Sequence, residues 1–383
     1  MSIEPFHLER YFADFEFETP ILLGASDCES LTVGELLDLE PDARERLEAM
    51  GLGYTHSDGD AGLRADIAAS YSDLIGPSDI LVHAAGVEVV TTLMLATLGP
   101  GDRALVQMPC YQVLRTAPVI AGAEVDRLET RPETGWKVTS GSVEAALSPA
   151  TRVVALNSPH NPTGRVIDPL ELRAIAELCA DRGILLFVDE AYRGTRYHGP
   201  IDEPSAAELG PHVATLGLVS KGYGLPGLRL GWLVCRDSEV RAAVERAKDY
   251  TTICAPAPSE FLAGVAIRHR DVLLARTRAR LRTHLELLRA VLEQHVGLFN
   301  WTPPDAGPIT LPTLTRAGIQ RAGAAEAPDR AMAERIRSEA GVLVIPGSLF
   351  DAQVPSLRLG FGRANFAVGL ERLDTWLRAA AST

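Results

Sequence analysis

The sequence predicts an α/β fold built on a mostly parallel sheet. From residue 80 onward, short β-branched runs alternate with stretches of helical periodicity, and the residues capable of chemistry collect in the loops that follow those runs. The chain has 383 residues, 46% of them apolar and 23% charged, which suits two or three soluble domains at roughly 150 residues each and excludes disorder for most of its length.

The elements come in order. ILVHA (80–84) precedes a helix from about Val87, RALVQM (103–108) precedes one near Tyr111, and RVVALN (152–157) precedes one from about Pro169. ILLFVD (184–189), VATLGLV (213–219) and LGWLVC (230–235) complete six strand-like runs. Apolar runs separated by helices imply βαβ units, with crossover helices covering both sheet faces and ligands expected at the carboxyl ends of the strands. The weakly charged stretch 81–98 contains His83 and Glu88 and reads as strand then helix, not as a membrane span. After Asp237 a long helical region places Leu274, Leu281, Leu285, Leu288 and Leu292 on one amphipathic face, and Arg276, Arg278, Arg280 and Arg282 are expected on a solvated one. The Ala-rich patch 321–340 reads as a helix with its approach loop. GVLVIP (341–346) and SLRLGF (356–361) read as strands of a smaller C-terminal domain, which the first 45 or so residues are expected to join.

Composition narrows the function. With 37 Lys and Arg against 50 Asp and Glu the net charge is −13, which repels phosphate backbones and anionic lipid, so neither nucleic acid nor membrane is an expected partner. Cys28, Cys110, Cys179, Cys235 and Cys254 form no C-x-x-C and no zinc-ligand spacing, so no metal site is expected and the thiols read as structural ones in a reducing compartment. The acidic opening segment lacks the basic and apolar regions of a secretory signal, which points to the cytoplasm.

Four segments carry chemistry together. Ala85-Gly86-Val87 is a side-chain-poor turn at a helix N-terminus, where backbone N–H groups can cradle a phosphate. The rigid loop 158–164 (SPHNPTG) holds Asn161 at a strand end, and 188–192 (VDEAY) delivers Asp189 and Tyr192 to the same edge. In 219–229 (VSKGYGLPGLR), Lys221 follows a strand directly and Arg229 comes eight residues later.

NSPHNPTG, VDEAY and SKGYGLPGLRLGW, in this order and at these separations, resemble the aspartate-aminotransferase-type class I/II family of pyridoxal-phosphate enzymes. YTHSDG with Leu63-Arg64, similar to the family's Y-T-x-x-x-G-x-x-x-L-R segment, and the terminal LRLGF (357–361) extend the resemblance over nearly the whole chain. It implies a fold type I transferase: a large domain at about 46–265 with a mostly parallel seven-stranded sheet, and a smaller α+β domain built from segments 1–45 and 266–383.

The resemblance also implies roles. Pyridoxal 5'-phosphate would be carried by Lys221, which also moves the substrate's α-proton, while Asp189 would stabilise a protonated ring nitrogen. Asn161 and Tyr192 match donors to the ring's 3-oxygen, and Tyr111 matches the aromatic that stacks on the ring. Ala85, Gly86, Val87 and Arg229 match the phosphate site. The family's hydroxyl residue three positions before the lysine is here Leu218, leaving Ser220 as the nearest substitute. Tyr54 matches a tyrosine that reaches the neighbouring subunit's phosphate, which implies a homodimer with shared active sites. Arg358 matches the arginine that pairs with the substrate α-carboxylate, and Asn161 and Gly24 border the substrate. No second arginine for a side-chain carboxylate is recognisable, so a dedicated aspartate or glutamate donor is not expected. Asp27 and Glu29 could meet a basic side chain, although solvated loop carboxylates are the commoner case.

The expected reaction is transfer of an amino group between an L-amino acid and a 2-oxo acid. The alternative is an oxidase, cyclase or decarboxylating deaminase of specialised biosynthesis, since SKGYGLPGLRLGW and KDYTT (248–252) also resemble capreomycidine-synthase-like members. A non-catalytic regulator is disfavoured by the intact Lys221 and by the lack of an appended helix-turn-helix domain.

Overall fold

In the computed structural model, residues 3–201, 203–323 and 326–379 are described. A seven-stranded sheet has the order Ile80–His83, Gly231–Cys235, Val213–Leu218, Leu185–Asp189, Thr151–Asn157, Arg103–Met108, Glu124–Glu129. Gly231–Cys235 runs antiparallel to both of its neighbours, and every other pair is parallel. Six of the strands coincide with the apolar runs. The seventh, Glu124–Glu129, has the sequence EVDRLE with only Leu128 buried, so it carries no apolar signal. It forms at the sheet edge, where Arg103 donates to both carboxylate oxygens of Asp126 at 2.7 and 2.6 Å.

Strand alternation sorts the core into layers. Leu81, Val106, Ala155, Phe187, Leu216 and Leu233 face the helices Gly86–Thr97, Val113–Ile120 and Ser238–Lys248. Leu105, Val154, Leu156, Leu186 and Val188 face the opposite side, against Val143, Ile175 and Cys179 from Ser140–Ala146 and Pro169–Asp181. The second of these helices starts where it does because Asp168 accepts the Leu170 N–H and Pro169 needs no partner for a missing one. Ile80, Val82 and Trp232 extend that side against Leu63, Ile67 and Val265, and Leu36, Leu37 and Ala43 join this cluster.

A further core cluster draws residues from both ends of the chain. Leu281, Leu285, Leu288 and Leu292 of the 25-residue helix Arg270–Gln294 pack with Ile21, Leu23, Ile336 and Leu373. Leu274 is buried as expected, but it lies against Gly194 and Gly222 of the sheet domain. One arginine departs from the solvated face: Arg278 is buried and donates to the Gly199 carbonyl at 2.6 Å. Its aliphatic stem tolerates burial once the guanidinium finds an acceptor. GVLVIP divides into Val342–Leu343, which pairs parallel with Ile21–Leu22, and Ile345–Pro346, which pairs antiparallel with Leu357–Gly360. The Ala-rich patch spans the end of the helix Arg316–Ala322, the helix Pro328–Arg335 and the π-turn Ile336–Ala340.

Candidate active site

The carboxyl ends of the parallel strands converge on one cavity of about 380 Å³, lined among others by Ala85, Gly86, Val87, Tyr111, Asn161, Asp189, Tyr192, Ser220, Lys221 and Arg229. At its floor Asp189 ends the strand Leu185–Asp189 and is 7% exposed. Its Oδ1 accepts the Ala191 N–H at 2.9 Å. Burial pushes the Asp189 carboxyl up to about 6, against the opposing pull of the Ala191 hydrogen bond and of Lys221. Asn157, ending the adjacent strand, donates to the Asp189 carbonyl at 2.7 Å and to the Pro159 carbonyl at 2.9 Å. Its Oδ1 accepts the Asn161 N–H at 2.6 Å, so one amide fixes the whole 158–164 loop against the aspartate. His160 in that loop bridges Thr163 Oγ1 and the Pro109 carbonyl, and burial lowers its imidazole to about 4. It is a neutral structural bolt.

Lys221 follows the strand Val213–Leu218 and donates from Nζ to Ser26 Oγ at 2.7 Å. Burial holds its amine below the usual lysine range, although Asp27, Glu9 and Asp189 favour the charged form. Across the cavity the helix Gly86–Thr97 starts after Ala85, which has φ of +96°. A Cβ on Gly86 would lie 2.9 Å from Leu218 Cδ2, so the residue in place of the family's hydroxyl presses directly on the 85–87 turn. Glu88 accepts the Ala84 N–H at 2.7 Å and clamps the turn from behind. Arg229 is exposed, adopts the left-handed conformation at φ 49°, and donates to the Pro226 carbonyl at 3.1 Å.

Three predicted residues sit elsewhere. Arg358, from the strand Leu357–Gly360, has no exposed surface and lies behind the cavity wall. It donates to Asn161 Oδ1 at 3.1 Å and to the Gly24 carbonyl at 2.6 Å, and its cation lies 4.8 Å from the centre of the Phe350 ring. Its Nε has no hydrogen-bond partner among the described residues, and burial lowers the guanidinium to about 10. Gly24 is likewise buried, and a Cβ there would come within 2.6 Å of Ile345. Tyr54 is 93% exposed and lines a separate cavity of about 610 Å³ with Thr55, His56 and Glu260.

Sequence reading missed Glu9, Glu16 and Arg363, and it placed Ser26 only within a segment, 24–30, that borders the substrate side in the family; all four line the cavity. Arg363 donates to both oxygens of Asp27 at 3.1 and 2.9 Å, so Asp27 is already paired with a cation, while Glu29 accepts the Ala364 N–H at 2.6 Å and is not among the residues that line the cavity. Glu9, on the helix His7–Phe15, accepts the Tyr111 hydroxyl at 2.8 Å. Only the docking of that helix brings its acidic residues here, and no local motif announces it.

A raised carboxyl, a lysine of depressed basicity, and a helix N-terminus beside an arginine form a donor set suited to a phosphorylated pyridine aldehyde. The profile of the class I and II aminotransferases matches residues 18–375. The chain belongs to that family. As a class I/II aminotransferase it is a pyridoxal-phosphate-dependent transferase that moves amino groups between amino acids and 2-oxo acids. It is 32% identical over 360 residues to capreomycidine synthase from Streptomyces vinaceus, covering 92% of this chain and 88% of that one. A PLP-dependent aminotransferase from Streptococcus suis superposes with a TM-score of 0.89 at 26% identity over 99% of both chains. The PLP-dependent cyclase OrfR also gives 0.89, at 29% identity over 99% of this chain and 98% of that one. Among the described residues no helix is long and apolar enough to cross a membrane, and no cluster of three or more His, Cys, Asp or Glu could hold a metal ion.

Proposed function

We propose that Lys221 carries pyridoxal phosphate and moves the substrate's α-proton, with Asp189 facing the ring nitrogen, Asn161 and Tyr192 the 3-oxygen, Tyr111 the ring face, and Ala85, Gly86, Val87, Ser220 and Arg229 the phosphate. The observation that carries the reading is Asp189: its carboxyl is buried at the cavity and raised by that burial despite the Ala191 hydrogen bond and the pull of Lys221, so a protonated ring nitrogen beside it would supply the cation that burial makes it need. When bound, the cofactor supplies an aldehyde that captures the substrate's amino group and a ring that accepts the electron pair released at Cα. Lys221, kept below the usual lysine range by burial, takes the α-proton as a neutral amine. Arg358 would bind the α-carboxylate, exchanging its bond to Asn161 for a charge-assisted pair that also engages the orphaned Nε.

The substrate side chain is read from the wall. With Asp27 held by Arg363 and Asp189 assigned to the ring, Glu9 and Glu16 remain. Glu16 makes no side-chain hydrogen bond or ion pair among the described residues, and burial raises its carboxyl. This favours an amino acid whose side chain ends in a cation. The similarity to capreomycidine synthase and to a cyclase supports a second reading, in which the same proton abstraction leads to cyclisation. The exposure of Tyr54 supports a homodimer in which this tyrosine completes the neighbour's phosphate site, and five unpaired cysteines support a reducing, cytoplasmic setting.

The test is to mix holo-protein with a panel of L-amino acids that includes arginine and its neutral isostere citrulline. Cofactor absorbance, 2-oxo acid dependence and oxygen uptake are followed together, and borohydride fixation with peptide mapping locates the adduct. Turnover requiring a 2-oxo acid, preference for arginine and an adduct on Lys221 are expected. Turnover without a 2-oxo acid selects the second reading, equal use of citrulline removes the cationic side chain, and an adduct elsewhere overturns the site.

A further inference from the structure

We propose that Ser26 is a positioning residue for Lys221: its hydroxyl oxygen holds the lysine amine by one N–H and so sets where the remaining valences of Nζ point. The proposal rests on Lys221 being the residue that moves the α-proton. No motif or comparison assigns Ser26, which stands 195 positions away in sequence and reaches the lysine only through the closure of the N-terminal segment onto the sheet.

The contact has the geometry of a strong hydrogen bond, Nζ to Oγ at 2.7 Å, and it is the only hydrogen bond of Nζ among the described residues. A lysine amine on a four-carbon stem explores many rotamers unless something holds it, and in a buried setting an unheld N–H is penalised. Ser26 is suited to the task because its own position is over-determined. Arg358 Nη2 donates to the Gly24 carbonyl at 2.6 Å, the Tyr192 hydroxyl donates to the Ser26 carbonyl at 3.1 Å, and Arg363 grips both oxygens of Asp27. From below, the C-terminal strand and its exit press on the same segment. A Cβ on Gly360 would come within 1.9 Å of the Ala25 carbonyl oxygen, and one on Gly362 within 2.3 Å of that of Asp27. Only glycine permits either approach. Ser26 itself remains partly exposed to the cavity.

The hydrogen-bond direction has a chemical consequence. When the neutral amine donates one N–H to the Ser26 oxygen, as the 2.7 Å contact allows, its lone pair is not consumed by the serine and stays available for the α-proton. Once that proton arrives, the resulting ammonium donates the same bond more strongly, so the hydroxyl favours the charged form. Removing it leaves the amine unheld, lowers its basicity, and slows proton transfer without removing any contact to the substrate's carboxylate or side chain.

Ser26→Ala and Ser26→Thr holoenzymes are compared with the wild type in two measurements. The first is the rate of α-hydrogen exchange into deuterium oxide for a reactive L-amino acid, with its pH profile. Ser26→Ala is expected to lose about tenfold to a hundredfold in exchange rate with KM nearly unchanged, and Ser26→Thr to recover most of it. The second needs no turnover: cofactor is stripped and added back, and the pH dependence of its capture by Lys221 is followed by absorbance. Ser26→Ala should shift the midpoint of that profile downward by about one unit, with Ser26→Thr tracking the wild type. An unchanged exchange rate, an unchanged capture profile, or a threonine variant as impaired as alanine overturns the proposal. If the wild type exchanges no α-hydrogen at all, the functional reading fails and the capture profile still decides the role of Ser26.

Discussion

Replacing Asp189 by asparagine should stabilise the protein without its cofactor and destabilise it relative to wild type once cofactor is added. Burial raises the Asp189 carboxyl from the ordinary 3.8 to about 6. Between those values the folded chain holds a proton that the unfolded chain has released, so stability falls as pH rises through this window. The penalty is complete above about pH 6. At 1.36 kcal/mol per unit, a raise of about two units is worth about 3 kcal/mol at pH 8 and nothing below about pH 3.5. Asparagine has no charge to bury and keeps an Oδ1 for the Ala191 N–H, so this penalty vanishes. A bound pyridinium removes the same penalty in wild type by giving the carboxylate a cationic partner, which asparagine cannot exploit. The assay is urea denaturation of wild type and Asp189→Asn at pH 4.5, 6 and 8, each with and without pyridoxal phosphate. Without cofactor the variant should lead by up to about 3 kcal/mol at pH 8, with the lead shrinking toward pH 4.5. With cofactor, wild type should show the larger gain. Equal stabilities at pH 8 without cofactor, or equal gains on adding it, would refute the assignment of Asp189 to a ring cation.

Three further outcomes follow from the geometry. Arg358→Ala should lower kcat/KM by about 100-fold, the loss of about 3 kcal/mol of charge-assisted binding, and unchanged kinetics would detach this arginine from the substrate. Gly86→Ala should weaken cofactor binding, because the added methyl meets Leu218 at 2.9 Å and displaces the phosphate turn, whereas Gly86→Ala combined with Leu218→Ala should recover part of the loss in equilibrium dialysis. Mixed Tyr54→Phe and Lys221→Ala subunits, exchanged by mild denaturation, should regain activity through heterodimers with one intact site, given that the Tyr54→Phe homodimer is itself impaired. Confirmed exchange without recovery, or an active monomer on sedimentation, would remove Tyr54 from the shared site.

Local patterning sufficed wherever a residue's role follows from its neighbours in sequence. Six strands announce themselves because a strand buried on both faces must be apolar at nearly every position, and the loops carrying Asn161, Asp189 and Lys221 attach directly to three of them. That adjacency explains why most of the expected cofactor residues line one cavity. The edge strand Glu124–Glu129 escaped because its side chains are mostly not buried, and its place depends on pairing with Arg103–Met108. Arg278 was misread because helical periodicity reports which face is apolar but not where a carbonyl such as that of Gly199 waits for a guanidinium. The substrate side of the cavity was the least legible part. Ser26, Glu9, Glu16 and Arg363 come from the two ends of the chain, and each becomes informative only by its distance to something remote: Ser26 to Lys221, Glu9 to Tyr111, Arg363 to Asp27. A pattern in sequence records the periodicity of one element against water and core, whereas the contacts on this side of the cavity arise from long-range closure, which juxtaposes side chains that no local rule relates.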